Sequence, residues 1–114
     1  MNLEQIIKEL NLTALSRQKD FAAIIPESVY TSDLLSCVIA GAKRHSVWIT
    51  LQAHINIVAV AALGELSAVI ISEGAKPDPS TIEKANDQGV ILLSSNQPSF
   101  AVAGRLWELG LRAN

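Results

Sequence analysis

Val47-Trp48-Ile49-Thr50-Leu51-Gln52-Ala53-His54-Ile55-Asn56-Ile57-Val58-Ala59-Val60-Ala61-Ala62-Leu63-Gly64 changes character part-way along. Its opening run, Val47 to Thr50, is β-rich and apolar on both faces, the pattern of a parallel strand covered by helices on each side. The run ends in small polar residues. A helix is then expected from about 53 to 63, stopping at Gly64. Ile55, Ile57, Val58, Val60, Ala61 and Leu63 leave this helix almost no polar face. It must therefore be covered on most sides, by the sheet and, for what the sheet leaves, by a second subunit.

The same unit recurs downstream. Ala68-Val69-Ile70-Ile71 and Val90-Ile91-Leu92-Leu93 read as two more strands, spaced as βαβ crossovers require. Helices are expected at about 79–88 and 98–109. Asp78-Pro79 supplies an N-cap and a proline at the first helical position, and Gly64, Gly89 and Gly110 sit where each helix should stop. The last helix carries Phe100, Ala103, Gly104 and Trp107 on one stripe, so this stripe is expected to face a closely packed neighbour, with Gly104 permitting the approach. Upstream, Leu3, Ile6, Ile7 and Leu10 stand at i, i+3, i+4 and i+7, a one-faced helical stripe. The region 11–31 is less regular, with the polar run Ser16-Arg17-Gln18-Lys19-Asp20 between apolar patches and Pro26 interrupting any regular element. Thr31 or Ser32 caps a helix bearing Leu34, Leu35, Val38 and Ile39, which Gly41 ends in a left-handed cap. The expected fold is α/β: one domain over 1–114, a small, mostly parallel sheet with helices on both faces.

Composition narrows the function. Apolar residues make up 49% and charged ones 18%, enough to bury a real core with little charged surface to spare. Nine basic and 11 acidic side chains give a net charge of −2. No basic stretch exceeds Lys43-Arg44-His45, so binding to a nucleic-acid backbone has little support. Cys37 is the single cysteine; it excludes an internal disulfide and multi-cysteine metal clusters, suggests a reducing compartment, and reads as a core residue in the helix after Ser32. The N-terminus lacks a signal-peptide pattern and the apolar run from Ile55 to Leu63 is about half of a membrane span. A cytoplasmic location, no membrane contact, no metal and no cofactor are expected.

In open parallel sheets, ligands collect beyond the carboxyl ends of the strands. There the sequence places Thr50, Gln52, His54 and Asn56, then Ser72, Glu73 and Gly74, then Ser94, Ser95 and Asn96. Such a rim is rich in hydrogen-bonding groups and poor in charge, and helix N-termini beside it favour an anion. Ser95 and Asn96 also suit a purely capping role. His54 is open to three readings: general base, ligand-orienting group, or buried hydrogen-bonded side chain. Neither Gly-x-Ser-x-Gly, nor Gly-x-x-x-x-Gly-Lys followed by Ser or Thr, nor Gly-x-Gly-x-x-Gly occurs, so nucleophilic hydrolysis, autonomous ATP hydrolysis and dinucleotide binding have no motif behind them.

Two segments, Val29-Tyr30-Thr31-Ser32-Asp33-Leu34-Leu35-Ser36-Cys37-Val38 and Trp48-Ile49-Thr50-Leu51-Gln52-Ala53-His54-Ile55-Asn56-Ile57-Val58-Ala59-Val60-Ala61, together resemble the DRTGG-domain family. Thr50, Gln52, His54 and Asn56 match its pattern at fixed spacing, and Ala103-Gly104-Arg105-Leu106-Trp107-Glu108-Leu109-Gly110 resembles its ending. The likeness runs from about residue 3 to 111. The name-giving motif is not kept: Ile24-Ile25-Pro26-Glu27-Ser28-Val29 stands where Asp-Arg and Gly-Gly are expected. The resemblance implies an α/β domain similar to the N-terminal domain of HPr kinase and to segments of phosphotransacetylases and regulated pyrophosphatases, where it accompanies catalytic domains.

It thus implies a non-catalytic, homodimeric regulatory or sensor module with a small ligand, an adenine nucleotide being the class suggested by the regulated pyrophosphatases. The ligand site expected on this basis comprises Ser32, Asp33, Thr50, Gln52, His54, Asn56 and Ser94. The alternative is an accessory or assembly protein docking on a redox enzyme such as an iron-only hydrogenase system; a small enzyme using His54 ranks below both.

Overall fold

A computed structural model describes residues 1–17 and 19–113. Gln18, from the polar run in the first third of the chain, and Asn114 lie outside the described residues. The elements are α1 (Leu3–Glu9), β1 (Thr13–Ala14), a single 3-10 turn (Phe21–Ala23), β2 (Ser28–Thr31), α2 (Leu35–Gly41), β3 (Ser46–Thr50), α3 (Asn56–Leu63), β4 (Ala68–Ile71), α4 (Pro79–Gln88), β5 (Leu92–Ser94) and α5 (Ser99–Glu108). The strands form one sheet in the order β1-β5-β4-β3-β2. β2 to β5 are parallel neighbours, and β1 runs antiparallel on the far side of β5.

Because β2, β3, β4 and β5 lie side by side in chain order, their crossovers all advance in one direction. Right-handed connections that never reverse put α2, α3 and α4 on one face. Pleating then sorts the strand residues. Trp48, Val69, Ile71 and Leu92 point toward α2 to α4 and pack with Val38, Ile57, Val58 and Ala85. Val47, Ile49, Ile70 and Leu93 point the other way, onto Leu3 and Ile6 of α1 and Val102 and Leu106 of α5. The expected mostly parallel sheet with helices on both faces is the observed one. No helix among the described residues is long and apolar enough to cross a membrane.

Several local expectations are corrected. The region 11–31 contributes two strands: Val29-Tyr30-Thr31 extends beside β3, and Thr13–Ala14 seals the edge of β5, aided by Ser16, whose Oγ accepts from the Leu92 amide at 2.9 Å. Helix α3 starts at Asn56 rather than near 53, and 51–55 form a loop. Its cover comes from the sheet and from α2 and α4 within the same chain, while Leu63 remains 75% exposed. Gly41 lies inside α2 rather than capping it. A β-carbon there would stand 2.6 Å from the Tyr30 hydroxyl oxygen, so Gly41 leaves room for the Tyr30 ring. Cys37 is exposed, because α2 turns Val38 inward instead.

The largest correction concerns α5. Its buried residues are Val102 and Leu106, whereas Phe100 is 89% and Trp107 59% exposed. Gly104 has no heavy atom within 4 Å of where a β-carbon would stand, so it faces open space rather than a close neighbour. Three of the four residues of the expected stripe face outward, and Ala103 alone is partly buried against the core. Arg112 covers part of that stripe, its guanidinium lying 3.9 Å from the centroid of Trp107.

Candidate functional site

The carboxyl ends of β3, β4 and β5 stand in one row, since Thr50 pairs with Ile71 and Ile71 with Ser94. Each strand's ladder runs one residue further: the Ser72 amide donates to the Thr50 carbonyl and the Ser95 amide to the Ile71 carbonyl, both at 2.9 Å. The three following loops therefore open on the same side of the molecule.

At β3 the loop is organised from outside itself. Asp33, just beyond β2, accepts at one carboxylate oxygen from the Thr50 hydroxyl and from the Leu51 amide, each at 2.8 Å. Thr50 is fully buried, and its Oγ1 accepts in turn from the Gln52 amide at 3.0 Å. The Gln52 side-chain amide donates to the Asp33 carbonyl at 3.3 Å. Ser32 braces the same segment: its Oγ accepts from the Leu34 amide at 3.1 Å and its carbonyl from the indole N–H of buried Trp48 at 2.8 Å. A carboxylate on a hydroxyl and an amide is a charge-assisted arrangement. It ties the end of β2 to the turn after β3.

Further along the loop, His54 is exposed, which removes the buried-side-chain reading. Its Nδ1 accepts from the Asn56 amide at 3.1 Å and its carbonyl from the Ile57 amide at 3.0 Å, so His54 closes the first turn of α3. A ring that accepts at Nδ1 carries its proton on Nε2. That Nε2–H is left for another acceptor. The amides of Ala53, His54 and Ile55 donate to no group among the described residues. Asn56 itself is exposed and Gln52 half-buried.

The ends of β4 and β5 are built differently, through Ser72, Glu73, Gly74 and Ser95 of the rim together with Gln97 and Ser99. Glu73 accepts at Oε2 from the Ser99 amide at 2.8 Å, capping α5 from 26 positions away. The Ser72 and Ser99 hydroxyls are 2.5 Å apart. The Glu73 amide donates to the Gln97 carbonyl at 2.8 Å and the Gly74 amide to the Ser95 carbonyl at 3.0 Å. The two loops are thereby fastened to each other. The Ser95 hydroxyl, an expected cap of α5, instead accepts from the Gln97 amide at 3.0 Å.

Of the seven expected site residues, Asp33, Thr50 and Gln52 form one hydrogen-bonded cluster, Ser32 stands beside Asp33 but is bonded to Leu34 and Trp48, and His54 and Asn56 continue along the same loop. Ser94 shares the strand row but is buried at the junction with β1. Thr50 and Asp33 serve each other, so the groups left over are the Gln52 Oε1 and second side-chain N–H, the His54 Nε2, the Asn56 side chain and the amides of 53–55. Ser72, Glu73 and Ser99 had no distinguishing signal, because a cap supplied across two loops leaves no short-range pattern. No group of three or more His, Cys, Asp or Glu that could hold a metal ion occurs among the described residues.

No family model matches the chain, and no curated protein matches it in sequence. Among solved structures, it is similar to the crystal structure of the CBS and DRTGG domains of the regulatory region of Clostridium perfringens pyrophosphatase, complexed with its activator diadenosine tetraphosphate. The TM-score is 0.75 at 17% identity, over 92% of this chain and 45% of that one. The chain thus spans under half the length of the structure it matches, and what the two share is the fold: a mostly parallel α/β arrangement found there within a regulatory region.

Proposed function

We propose that the chain is a regulatory ligand-binding module of the DRTGG type, without catalytic activity, that takes an adenine nucleotide over the loop 50–56. The observation that carries this reading is that loop. Asp33 and Thr50 hold it in place, three consecutive amides at 53–55 have no acceptor, and Gln52, His54 and Asn56 present side chains beside them. Consecutive free amides suit a phosphate. Asn56 combines a donor pair with an acceptor, and Gln52 keeps an acceptor and one N–H beside its bond to Asp33, the chemistry that reads a base or sugar edge. The pyrophosphatase region of the same fold, solved with diadenosine tetraphosphate, supports the choice of ligand class. Recognition proceeds without bond-making: the Nδ1 lone pair of His54 is engaged with the Asn56 amide, and the Thr50 hydroxyl is buried against Asp33.

Calorimetry with AMP, ADP, ATP and diadenosine tetraphosphate on the wild type, Gln52→Ala and His54→Ala tests the reading. Binding by the wild type that weakens in both variants is expected. Binding unchanged in both puts the site elsewhere.

Two copies are expected to associate, supported by the exposed apolar side chains of Leu63, Phe100 and Trp107; sedimentation reading a single chain at about ten micromolar or above rejects this. Phe100 also favours a second reading, an accessory protein docking on a redox enzyme. Co-purification of such an enzyme, with no nucleotide bound, would select it.

A further inference from the structure

We propose that Glu73 is a specificity-determining residue: its carboxylate occupies the start of α5 and directs a ligand's phosphate away from β4 and β5, toward the loop after β3. The inference rests on the ligand-binding reading above and adds to it the residue that decides where negative charge is accepted.

The two loop regions offer opposite environments to an anion. At α5 the first-turn amide of Ser99 is already bonded to the Glu73 carboxylate at 2.8 Å, and α5 has no acid of its own in its first turn. Pro98 stands at the N-cap and makes no side-chain cap. The negative charge at this helix end is therefore imported from the β4–α4 loop. It is held there by backbone bonds from Glu73 to Gln97 and from Gly74 to Ser95, and by the Ser72 to Ser99 hydroxyl pair. Glu73 adopts φ of 61°, a region L-residues seldom enter, so its side chain is aimed by a backbone that the two loops fix together. At α3 the corresponding place is closed by the neutral Nδ1 of His54, and no acid lies in the first turn. A phosphate approaching α5 finds the Phe100 and Ala101 amides without acceptors among the described residues, as at 53–55, but there it meets the Glu73 carboxylate, which has taken the Ser99 amide and repels the newcomer. One approaching 53–55 meets unpaired N–H groups with no acid beside them in the first turn of α3.

The test separates this role from simple capping. Inorganic phosphate is titrated into isotope-labelled wild type, Glu73→Ala and Glu73→Gly, the last placing an unstrained residue at that φ, while the amide resonances of Ser99, Phe100 and Ala101 are followed. These should stay still in the wild type and shift saturably in the variants. A saturable shift in the wild type, or none in either folded variant, overturns the proposal. In a second arm, AMP and adenosine are compared on the wild type and Glu73→Gln. The ratio of AMP to adenosine affinity should rise about tenfold at low salt, the scale of one unit charge removed nearby at an intermediate effective dielectric; a constant ratio removes the specificity role while leaving ligand binding intact. Should neither compound bind any form, the ligand reading fails, and the phosphate titration alone decides the fate of Glu73.

Discussion

Helices α3 and α5 each follow a parallel strand, yet they end in different surroundings. α3 lies between α2 and α4 and buries Ile57, Val58, Val60 and Ala61. α5 crosses β2 and β3 on the opposite face, where β2 is the last strand, and buries only Val102 and Leu106. A helix over the middle of a sheet is flanked on both sides, so nearly any apolar residue finds cover. A helix over the edge has one open flank, and there the apolar count says little about which residues are inside.

The sharpest test of that contrast pairs an inward with an outward residue of α5. Leu106→Ala should cost about 2–5 kcal/mol in chemical denaturation, while Phe100→Ala, at a protein concentration low enough to keep the chains apart, should stay within about 0.5 kcal/mol. A Phe100 loss rivalling that of Leu106 would mean that the outer face of α5 is covered in solution.

The junction before α3 is tested next. Asp33→Ala leaves the buried Thr50 hydroxyl and the Leu51 amide without their acceptor and should lower stability by about 1–3 kcal/mol. Trp48 fluorescence can report it, because the indole N–H holds the Ser32 carbonyl next to Asp33. An unchanged stability would show that water replaces the carboxylate and that the loop is not held from β2.

Two glycines extend the comparison to helix surfaces. Gly41→Ala drives a methyl group against the Tyr30 ring, whose nearest atoms stand 2.6 to 2.9 Å away, and should cost about 1–3 kcal/mol. The smallest effect has the opposite sign: Gly104→Ala places the same methyl group in open space mid-helix and should stabilise by about 0.5–1 kcal/mol. A destabilising Gly104→Ala, seen in thermal melts at several protein concentrations, would reveal a neighbour supplied by another copy.

Local chemistry wrote much of the fold into the sequence. β-rich runs apolar on both faces placed β3, β4 and β5 to within two residues at either end, and Asp78-Pro79 with Gly89 bounded α4 because proline at the first position and a left-handed glycine after the last are backbone requirements. The polar rim was legible for the same reason, as Thr50, Gln52, His54 and Asn56 leave an apolar strand at fixed spacing. Three features needed the tertiary structure. The exposed side of α5 follows from its place over the sheet edge, since periodicity marks a stripe but not the direction in which it points. β2 became a strand because the outer edge of β3 offers its backbone a partner. And the carboxylate capping α5 comes from Glu73, a residue brought to Ser99 only when β4 and β5 pair: a hydrogen bond across 26 positions depends on strand order, which no local pattern encodes.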